Sequence, residues 1–256
     1  MTSTLKKISR RVALTLAVSA CFSPVTQAAE LLTEGVFKVG MEVTYPPFES
    51  YDSNNNIVGL DPDFAALIAQ HLQAKPQLID TKFTSLILGI GKKYDAVISG
   101  MDITPERSKQ VAFTDPYYAN SALVIAKKDA FHSFDDLKGK RIGMENGTTH
   151  QKYLQDKHPE VKTVAYDSYQ NAIIDLKNGR IDGVFGDTAV VNEWLKTNPQ
   201  LGAATPKVTD PQYFGTGLGI AVRPDNKALL EKLNAALKAI KADGTYQKIS
   251  NQWFPE

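Results

Sequence analysis

The stretch KVGME at residues 38–42 recurs, with two conservative changes, as RIGME at residues 141–145. A second pair of strings follows in the same order, KYDAV at residues 93–97 and RIDGV at residues 180–184. Strings of five residues also resemble one another by chance, but the shared order of the two pairs argues against chance. Each member of the second pair follows a helical pattern, so we predict two α/β lobes of similar construction.

The pattern around these strings alternates apolar runs with helical spacing. It predicts a strand over residues 36–41 and a second strand over residues 95–99. Between them, Asp61 is expected to cap a helix that has Pro62 at its first position. This alternation is typical of an α/β fold with mostly parallel sheets.

The chain is expected to leave the first lobe near Ser121 and to return to it near Thr216. The first lobe is then predicted to comprise residues 29–121 and 216–256, and the second lobe residues 122–215. The sequence FGTGLG at residues 214–219 contains the G-x-G of dinucleotide-binding loops. It lacks the strand–loop–helix context of such loops, so we interpret it as a crossover strand. An amphipathic helix over residues 229–240 and a break at Gly244 are predicted to follow.

The first 28 residues have the layout of a secretory signal peptide. Four basic residues and no acidic residue precede or flank a short apolar run, and we place cleavage after Ala28. The run is shorter than the roughly 20 residues of a transmembrane helix. Two alternatives stay open. VSAC at residues 18–21 resembles a lipobox, in which Cys21 would be lipidated, and SRR at residues 9–11 resembles a twin-arginine start.

Composition disfavours several functional classes. The chain has 29 Lys and Arg against 28 Asp and Glu, and loss of the signal peptide would leave it weakly acidic, which argues against nucleic acid as a partner. Cys21 is the only cysteine, so cleavage after Ala28 would leave no disulfide and no cysteine nucleophile. The four histidines are scattered and no HExxH or nucleophile-elbow motif occurs. We therefore expect neither a catalytic group nor a metal or other cofactor.

Four polar loops follow predicted strands. They comprise residues 42–49, residues 99–107, residues 145–150 and residues 186–187. Ligands of open α/β sheets bind at the carboxyl ends of the strands. We therefore expect the binding site where these loops meet, between the lobes.

These loops, in this order, resemble those of the polar-amino-acid periplasmic binding proteins of ABC transporters. The resemblance extends from about residue 36 to residue 254 and depends on TYPPFE, SGMDITPER, FTDPYY, NGTTHQ and RIDGVFGD taken together. The individual strings are most similar to those of the arginine-specific members in enteric bacteria. The resemblance implies a two-lobed type II binding fold with two crossover strands. It also implies a periplasmic monomer that closes on an amino acid and delivers it to an inner-membrane permease.

The resemblance assigns the groups that bind the ligand's backbone. Arg107 matches the arginine that clamps the α-carboxylate with its guanidinium fork. Thr149 matches a residue that offers its hydroxyl and N–H to the same carboxylate, at a helix N-terminus that favours anions. Asp187 matches the aspartate that binds the α-ammonium, and the Gly100 carbonyl is expected to share that role. The same wall is expected to include Ser99, Met101 and Asp102.

The resemblance also assigns the pocket for the ligand's side chain. Tyr45 and Phe83 match an aromatic pair that sandwiches a long side chain, where a guanidinium gains roughly 0.5–2 kcal/mol from cation–π contact. Glu42 matches the position that meets the distal cation. Asp102 replaces a serine of lysine/arginine/ornithine binders, and Glu145 is expected to add a carboxylate from the other lobe. L-arginine is the expected ligand, with lysine, ornithine and histidine as alternatives.

The chain departs from its relatives at residues 86–93, LILGIGKK. Relatives usually have a proline in this helix and about one more residue. Two glycines weaken a helix by roughly 1 kcal/mol each, so this segment makes the orientation of Phe83 hard to predict. Several relatives also have a cysteine pair after the first helix, which this chain lacks.

Other interpretations of these residues stay open. Arg107 could be a surface ion-pair residue beside Glu106, Asp187 could be a helix cap, and the two aromatic residues could belong to the core. His150 is expected to line the rim of the site. An enzyme such as a dehydratase could use the acidic residues and His150 for acid–base chemistry, and a sensor could dock on a receptor.

Overall fold

The computed structural model describes residues 31–254. The predicted signal peptide, its cleavage site and Cys21 lie outside the described residues. The strands are β1 (Val36–Met41), β2 (Ser50–Tyr51), β3 (Ile57–Val58), β4 (Lys75–Asp80), β5 (Ala96–Val97), β6 (Ala112–Phe113), β7 (Ala122–Lys127), β8 (Arg141–Glu145), β9 (Lys162–Tyr166), β10 (Gly183–Asp187), β11 (Leu201–Ala203) and β12 (Ala221–Val222). The helices are α1 (Leu60–His71), α2 (Leu86–Gly89), α3 (Thr149–Lys157), α4 (Tyr169–Lys177), α5 (Thr188–Thr197), α6 (Pro211–Phe214), α7 (Lys227–Ala242) and α8 (Thr245–Trp253).

The strands form two five-stranded sheets, which confirms the predicted two-lobed α/β fold. The expectation of mostly parallel sheets is wrong, because each sheet has as many antiparallel as parallel strand pairs. The first sheet has the order β4-β1-β5-β12-β6 and the second the order β11-β7-β10-β8-β9. Helices α1, α7 and α8 pack together beside the first sheet, and α3, α4 and α5 pack on the second. We call each sheet with its helices the first lobe and the second lobe. The short hairpin of β2 and β3 lies beside α1.

The internal repeat of the sequence is a repeat of the structure. In the first lobe β1 pairs in parallel with β4 and β5, and in the second lobe β8 pairs in parallel with β9 and β10. The repeated strings also share one register. The pairs are Val39 with Ala96 and Gly40 with Val97 in the first lobe, and Ile142 with Gly183 and Gly143 with Val184 in the second. Chance therefore does not explain the repeat.

An aspartate holds the start of each repeated strand. Asp95 accepts a hydrogen bond of 2.8 Å from the backbone N–H of Lys38, and Asp182 accepts one of 2.8 Å from the N–H of Arg141. These residues occupy equivalent positions of the two strings. The carboxylates satisfy backbone groups that strand pairing leaves free, which explains why both strings contain an aspartate.

The repeated glycine has a steric reason. A Cβ atom on Gly40 would lie 2.7 Å from the ring of Tyr94, and one on Gly143 would lie 2.7 Å from Cδ1 of Ile181. Tyr94 and Ile181 are themselves equivalent positions of the second string. Each lobe thus packs a large side chain directly against the backbone of its first repeated strand, β1 or β8.

The chain passes between the two sheets along two segments. After Ser121 the chain enters β7, and after α6 it returns along residues 215–219, where Leu218 exchanges backbone hydrogen bonds of 2.8 and 2.9 Å with Tyr118 and Tyr117. No helix follows this glycine-rich segment directly, so it is not a dinucleotide loop. Ala122 and Val208 exchange two backbone hydrogen bonds, of 2.9 and 2.7 Å. The exact lobe boundaries, 121/122 and 215/216, stay predictions.

Several local predictions need correction. Helix α1 begins at Leu60 with Gly59 as N-cap, so Asp61 is not the cap. Its carboxylate accepts instead from the N–H of Gly100 at 2.8 Å and from the hydroxyl of Tyr117 at 3.0 Å. Tertiary donors therefore outweigh the local capping pattern. The predicted strand over residues 95–99 is shorter, and only β5 belongs to the sheet.

The C-terminal helices follow the predicted pattern. Helix α7 extends the expected range at both ends, and Asn226 caps it by accepting from the N–H of Leu229 at 3.2 Å. Gly244 has a φ of 82° and separates α7 from α8. Within residues 31–254, no helix combines the length and the apolar character that a membrane span requires.

The departing segment at residues 86–93 forms a single helical turn, α2. A Cβ atom on Gly89 would lie 2.1 Å from the hydroxyl oxygen of Tyr94, and that hydroxyl donates 2.7 Å to the carbonyl of Leu86. The glycine thus permits the tyrosine to close the turn. Phe83 lies in the 3-10 turn just before α2, so this packing fixes where the Phe83 ring points.

Candidate functional site

One cavity lies between the lobes, at the carboxyl ends of the central strands. The space between its lining atoms amounts to about 310 Å³, part of which is open to solvent. Apart from Met101, the predicted site residues all line it. The first lobe contributes Glu42, Tyr45, Phe83, Ser99, Gly100, Asp102 and Arg107, and the second lobe contributes Glu145, Thr149 and Asp187.

Met101 does not line the cavity. Its side chain is 1% exposed and lies in a separate apolar cluster with Leu86, Ile90 and Val97. Met101 therefore packs into the first lobe while its neighbours face the cavity.

The guanidinium of Arg107 is buried at the cavity wall. Arg107 is 8% exposed, and its Nη1 donates 3.1 Å to the carbonyl of Asp102. Its Cζ lies 5.4 Å from the centroid of the Phe83 ring. Burial lowers the pKa of Arg107, and the charges of Asp102 and Asp187 oppose that shift. A buried guanidinium facing these carboxylates does not fit the alternative of a surface ion pair with Glu106.

A hydrogen-bond bridge joins Asp102 and Asp187 across the cleft. The amide nitrogen of Asn120 donates to one oxygen of each carboxylate, at 2.7 Å in both cases. The other oxygen of Asp102 accepts from the hydroxyl of Thr149 at 2.7 Å. Burial, and then the charge of Asp187, raises the pKa of Asp102 to about 7. Asn120 is a site residue that the sequence patterns do not reveal, although it directly precedes the predicted crossover at Ser121.

Tyr45 of the first lobe also contacts Asp187. Its hydroxyl donates 2.9 Å to the carboxylate and accepts 3.2 Å from the Asp187 N–H. Asp187 is the N-cap residue of α5, but its side chain makes no capping hydrogen bond. The helix-cap interpretation therefore does not explain this carboxylate, which points into the cavity.

The aromatic residues are arranged differently from a simple pair. The Tyr45 ring stacks on Tyr169 with centroids 5.1 Å apart, whereas the half-buried Phe83 lies against Arg107. Tyr169 is not among the predicted site residues. Its stacking on Tyr45 joins the two lobes, and no local sequence pattern encodes such a contact.

His150 lies inside the cavity wall and not at the rim, so the prediction for this residue is wrong. It is 2% exposed, and its Nδ1 lies 3.0 Å from the hydroxyl of Tyr169. Its Nε2 lies 3.0 Å from an oxygen of Asp187 but outside hydrogen-bond geometry. The residue is buried because α3, on which it lies, packs its first turn against the cavity. The remaining cavity residues that the sequence patterns do not reveal are Glu49 and Thr148.

Thr149 begins α3, and Thr148 is its N-cap, accepting from the N–H of Gln151. The predicted helix start near Thr149 is thus confirmed. Thr148 in turn donates 2.7 Å to the carbonyl of Glu145. The free N–H groups of a helix N-terminus attract anions, and here they lie beside the guanidinium of Arg107. This part of the cavity is suited to a carboxylate.

Glu42 and Glu145 form a second polar group in the cavity, and both of its members are acidic. They are 6% and 3% exposed, and their carboxyl groups hydrogen-bond to each other across the cleft. Burial, and then the negative charge of Glu42, raises the pKa of Glu145 to about 10. Two carboxyl groups in contact hold one proton between them because both cannot ionise without a counter-ion. A cationic group placed here would remove that constraint.

The cavity is therefore suited to a zwitterion with an additional positive charge. Within residues 31–254, buried carboxyl groups outnumber the single buried guanidinium, and an excess of negative charge favours a cationic ligand. Among the described residues, no group of acidic, histidine or cysteine side chains has the arrangement of a metal site.

Comparison with known proteins agrees with this chemistry. The model of the bacterial extracellular solute-binding proteins, family 3, matches residues 37–256. ABC transporter arginine-binding protein 1 of Escherichia coli K12 is 72% identical over 241 residues, which cover 94% of this chain and 97% of that protein. The arginine-binding periplasmic protein of Mannheimia haemolytica is 46% identical over 215 residues, 84% of this chain and 89% of that protein.

A solved structure is also similar to this chain. A Salmonella typhimurium periplasmic binding protein, described as having high arginine specificity, superposes with a TM-score of 0.83 at 50% identity. The match covers 86% of this chain and 99% of that one. These three relatives are named as binding proteins and not as enzymes. The repeat, the two-lobed fold and the cleft are thus those of its relatives, and the chain belongs to the bacterial extracellular solute-binding proteins, family 3.

Proposed function

We propose that the chain is the periplasmic substrate-binding component of an ABC amino-acid importer and that it binds L-arginine between its lobes. The observation that supports arginine most directly is the contact of Glu42 with Glu145 across the cleft. These two carboxyl groups belong to different lobes, and a guanidinium between them would be bound from both sides. The relatives named for arginine support the same ligand.

The ligand's backbone is proposed to bind at the other group of polar residues. Its α-carboxylate binds the guanidinium of Arg107 and the N-terminus of α3 at Thr149. Its α-ammonium binds Asp187 and the carbonyl of Gly100. The hydroxyl of Ser99, which lines the same wall, holds the loop beneath.

The ligand's side chain is proposed to extend along Tyr45 and Phe83 towards the glutamates, with Asp102 adding negative charge. A guanidinium is planar and forms bidentate hydrogen bonds with carboxylates, whereas an ammonium is a point charge with three donors. A site with two opposed carboxyl groups therefore favours arginine over lysine and ornithine.

Closure of the lobes is the proposed mechanism. The first lobe, residues 29–121 and 216–256, rotates against the second, residues 122–215, about the two crossovers. A ligand shifts the population only as far as it binds one form more tightly than the other. The contacts between Tyr45 and Asp187 and between Thr149 and Asp102 join the lobes and belong to the closed form. The closed, loaded monomer docks on an inner-membrane permease and catalyses no reaction.

Calorimetric titration tests the ligand. The protein is unfolded and refolded to remove bound ligand, then titrated with the common L-amino acids and ornithine. We expect sub-micromolar binding of arginine, equivalent to about −8 kcal/mol or better, and much weaker binding of lysine. Comparable binding of lysine and ornithine would remove Asp102 as the selector. If no amino acid bound, the proposal would be wrong and a dehydratase-like activity would be assayed next.

Export is proposed on the first 28 residues, with cleavage after Ala28. Mass spectrometry of the protein expressed in a Gram-negative host tests this. A chain beginning at Ala29 in the periplasmic fraction is the expected result, whereas a chain beginning at an acylated Cys21 in the membrane fraction would establish the lipoprotein alternative.

A further inference from the structure

Two buried carboxyl groups of the first lobe take no part in the proposed ligand contacts, although one of them, Glu49, lines the cavity. Glu49 is 1% exposed and Asp61 is 0% exposed. Neither belongs to an ion pair within residues 31–254. Burying two carboxylates without a cation costs far more free energy than burying one, so their arrangement needs an explanation.

One oxygen of each carboxyl group is satisfied by neighbouring donors. Glu49 Oε1 accepts from the hydroxyl of Ser99 at 2.7 Å. Asp61 Oδ2 accepts from the N–H of Gly100 at 2.8 Å and from the hydroxyl of Tyr117 at 3.0 Å. These donors come from the loop after β5 and from the segment after β6.

The other two oxygens, Glu49 Oε2 and Asp61 Oδ1, are buried and have no donor from any other group. The two side chains are nevertheless within hydrogen-bonding distance of each other. Ionised carboxylates only accept hydrogen bonds, whereas a protonated carboxyl group also donates one. A single proton shared by the two carboxyl groups therefore gives the pair the donor that two ionised carboxylates lack.

The surroundings indicate which residue holds the proton. Burial, and then the negative charge of Asp61, raises the pKa of Glu49 well above its usual range. Burial raises the pKa of Asp61 only to about 6, because Gly100, Tyr117 and Glu49 donate to it. The other titratable groups near the pair are Glu42, at the end of β1, and Tyr117. Neither group is cationic, so no positive charge nearby favours a second negative charge.

We propose that protonated Glu49 and ionised Asp61 act as one positioning pair that holds Ser99 and Gly100 in their ligand-binding conformation. This inference rests on the proposed function, in which Ser99 and the Gly100 carbonyl line the ligand. Gly100 has a left-handed φ of 49°, and its N–H is fixed by Asp61. Asp61 does not line the cavity, whereas Glu49 does, and the pair acts on the proposed ligand contacts through this loop.

The pair also reaches one of the proposed guanidinium acceptors. The Ser99 hydroxyl that donates to Glu49 accepts 3.0 Å from the backbone N–H of Glu42. A continuous chain of hydrogen bonds thus runs from Glu42 through Ser99 and Glu49 to Asp61. Loss of the proton from Glu49 would therefore disturb both the loop at Ser99 and Gly100 and the backbone of Glu42.

The test compares Glu49→Gln with Glu49→Ala and Asp61→Asn. Glutamine copies a protonated glutamate in size, neutrality and its ability to donate to Asp61. We expect Glu49→Gln to keep the arginine Kd within about threefold of wild type at pH 7, and Glu49→Ala and Asp61→Asn to raise it by at least about tenfold. If Asp61→Asn does not fold, the two Glu49 variants still decide the question. A Glu49→Gln variant that loses more than tenfold in affinity overturns the proposal.

The dependence of unfolding on pH supplies a readout that needs no ligand. Above the ordinary pKa of glutamate, about 4.5, the unfolded chain has lost the proton that folded Glu49 retains. The folding constant of wild type therefore falls as pH rises, by up to about tenfold per pH unit for one proton, until Glu49 also ionises in the folded state. The Glu49→Gln variant has no carboxyl group at this position, so this proton does not contribute to the pH dependence of its folding constant. Its folding constant relative to wild type should rise between pH 5 and pH 8.

Parallel pH profiles for wild type and Glu49→Gln would overturn the proton assignment. Infrared difference spectra of the same two proteins check it directly, since only wild type should show the carbonyl stretch of the Glu49 carboxylic acid. Absence of arginine binding by wild type would refute the proposed function instead. The unfolding and infrared measurements would still test the pair.

Discussion

Glu42 and Glu145 occupy the same position of the internal repeat, as the last residue of KVGME and of RIGME, and their carboxyl groups hydrogen-bond across the cleft. The carboxyl ends of β1 and β8 thus face each other across the cleft. A site made from equivalent positions of two similar lobes places like side chains face to face. Here the result is a carboxyl pair that is suited to a flat cation.

The first prediction concerns this pair. Glu145→Gln should weaken arginine binding by about 1.5–3 kcal/mol, the usual worth of a hydrogen bond to a charged group. Binding of citrulline, the uncharged analogue of arginine, should not weaken. Both values come from calorimetry at pH 7. Glu231→Gln, at an exposed position of α7, is the matched control and should change neither. Equal losses for arginine and citrulline would show that Glu145 does not recognise the charge.

The same pair predicts proton release on binding. The pKa of Glu145 is raised to about 10, so the carboxyl group is protonated at pH 8 before a guanidinium replaces that proton. The bound state then holds fewer protons than the free state, and affinity should rise with pH. Titrations at pH 8 in buffers of different ionisation enthalpy should detect release of up to about one proton per arginine.

The Glu145→Gln variant is the control for that experiment, because it has no proton to lose at this position. Its binding heat should be independent of the buffer. Proton uptake by wild type, or release that persists unchanged in the variant, would contradict the assignment of the proton to this pair.

A third prediction concerns Arg107, in the part of the cavity that is suited to a carboxylate. Arg107→Ala should weaken arginine binding by roughly 2–5 kcal/mol, the cost of removing one partner of a buried charge pair. Arg180→Ala is the matched control, since Arg180 pairs with Asp175 at the surface of the second lobe. A loss below about threefold in a folded Arg107→Ala protein would show that this residue is not the clamp.

A fourth prediction concerns the return crossover. Gly215 has a φ of 58°, and a Cβ atom there would lie 1.7 Å from the carbonyl oxygen of Ile103. Gly215→Ala should therefore reduce the free energy of unfolding by more than the roughly 1–2 kcal/mol that a left-handed conformation costs a non-glycine residue.

The Gly139→Ala variant separates the cost of the left-handed backbone conformation from the cost of the contact with Ile103. Gly139 has a φ of 72°, but a Cβ atom there would meet nothing within 4 Å, so only the backbone conformation contributes to the loss. Denaturant unfolding of both variants gives the comparison. Equal losses would show that the approach of Ile103 contributes nothing.

Sequence patterns predict the repeated elements of this protein well because repetition is itself a local signal. The strings around Glu42 and Glu145 mark the central strands, and the loops after them contain most of the cavity residues. Asp61 escapes this kind of prediction for a physical reason. The Asp-Pro pattern predicts a helix cap, whereas the donors that bind its carboxylate, from Gly100 and Tyr117, come from distant parts of the chain.

The cavity residues that sequence patterns do not reveal share this dependence on tertiary structure. Asn120 acquires its role only when both lobes bring a carboxylate to its amide. Tyr169 and His150 lie on different helices, and both line the cavity, where the Tyr169 hydroxyl contacts the His150 ring. Met101 shows the reverse error, since membership of a binding loop does not decide to which side a side chain points.

The hydrogen bonds between Ala122 and Val208 have an evolutionary consequence. All strands of the second sheet lie between these two residues, so the second lobe is a single insertion whose ends meet. A segment of this kind can be exchanged between genes by two recombination events, one at each of its ends, without disturbing the sheet of the first lobe. Half of the recognition surface would move with it, including Glu145, Thr149 and Asp187, and a new ligand preference could arise by recombination as well as by point mutation.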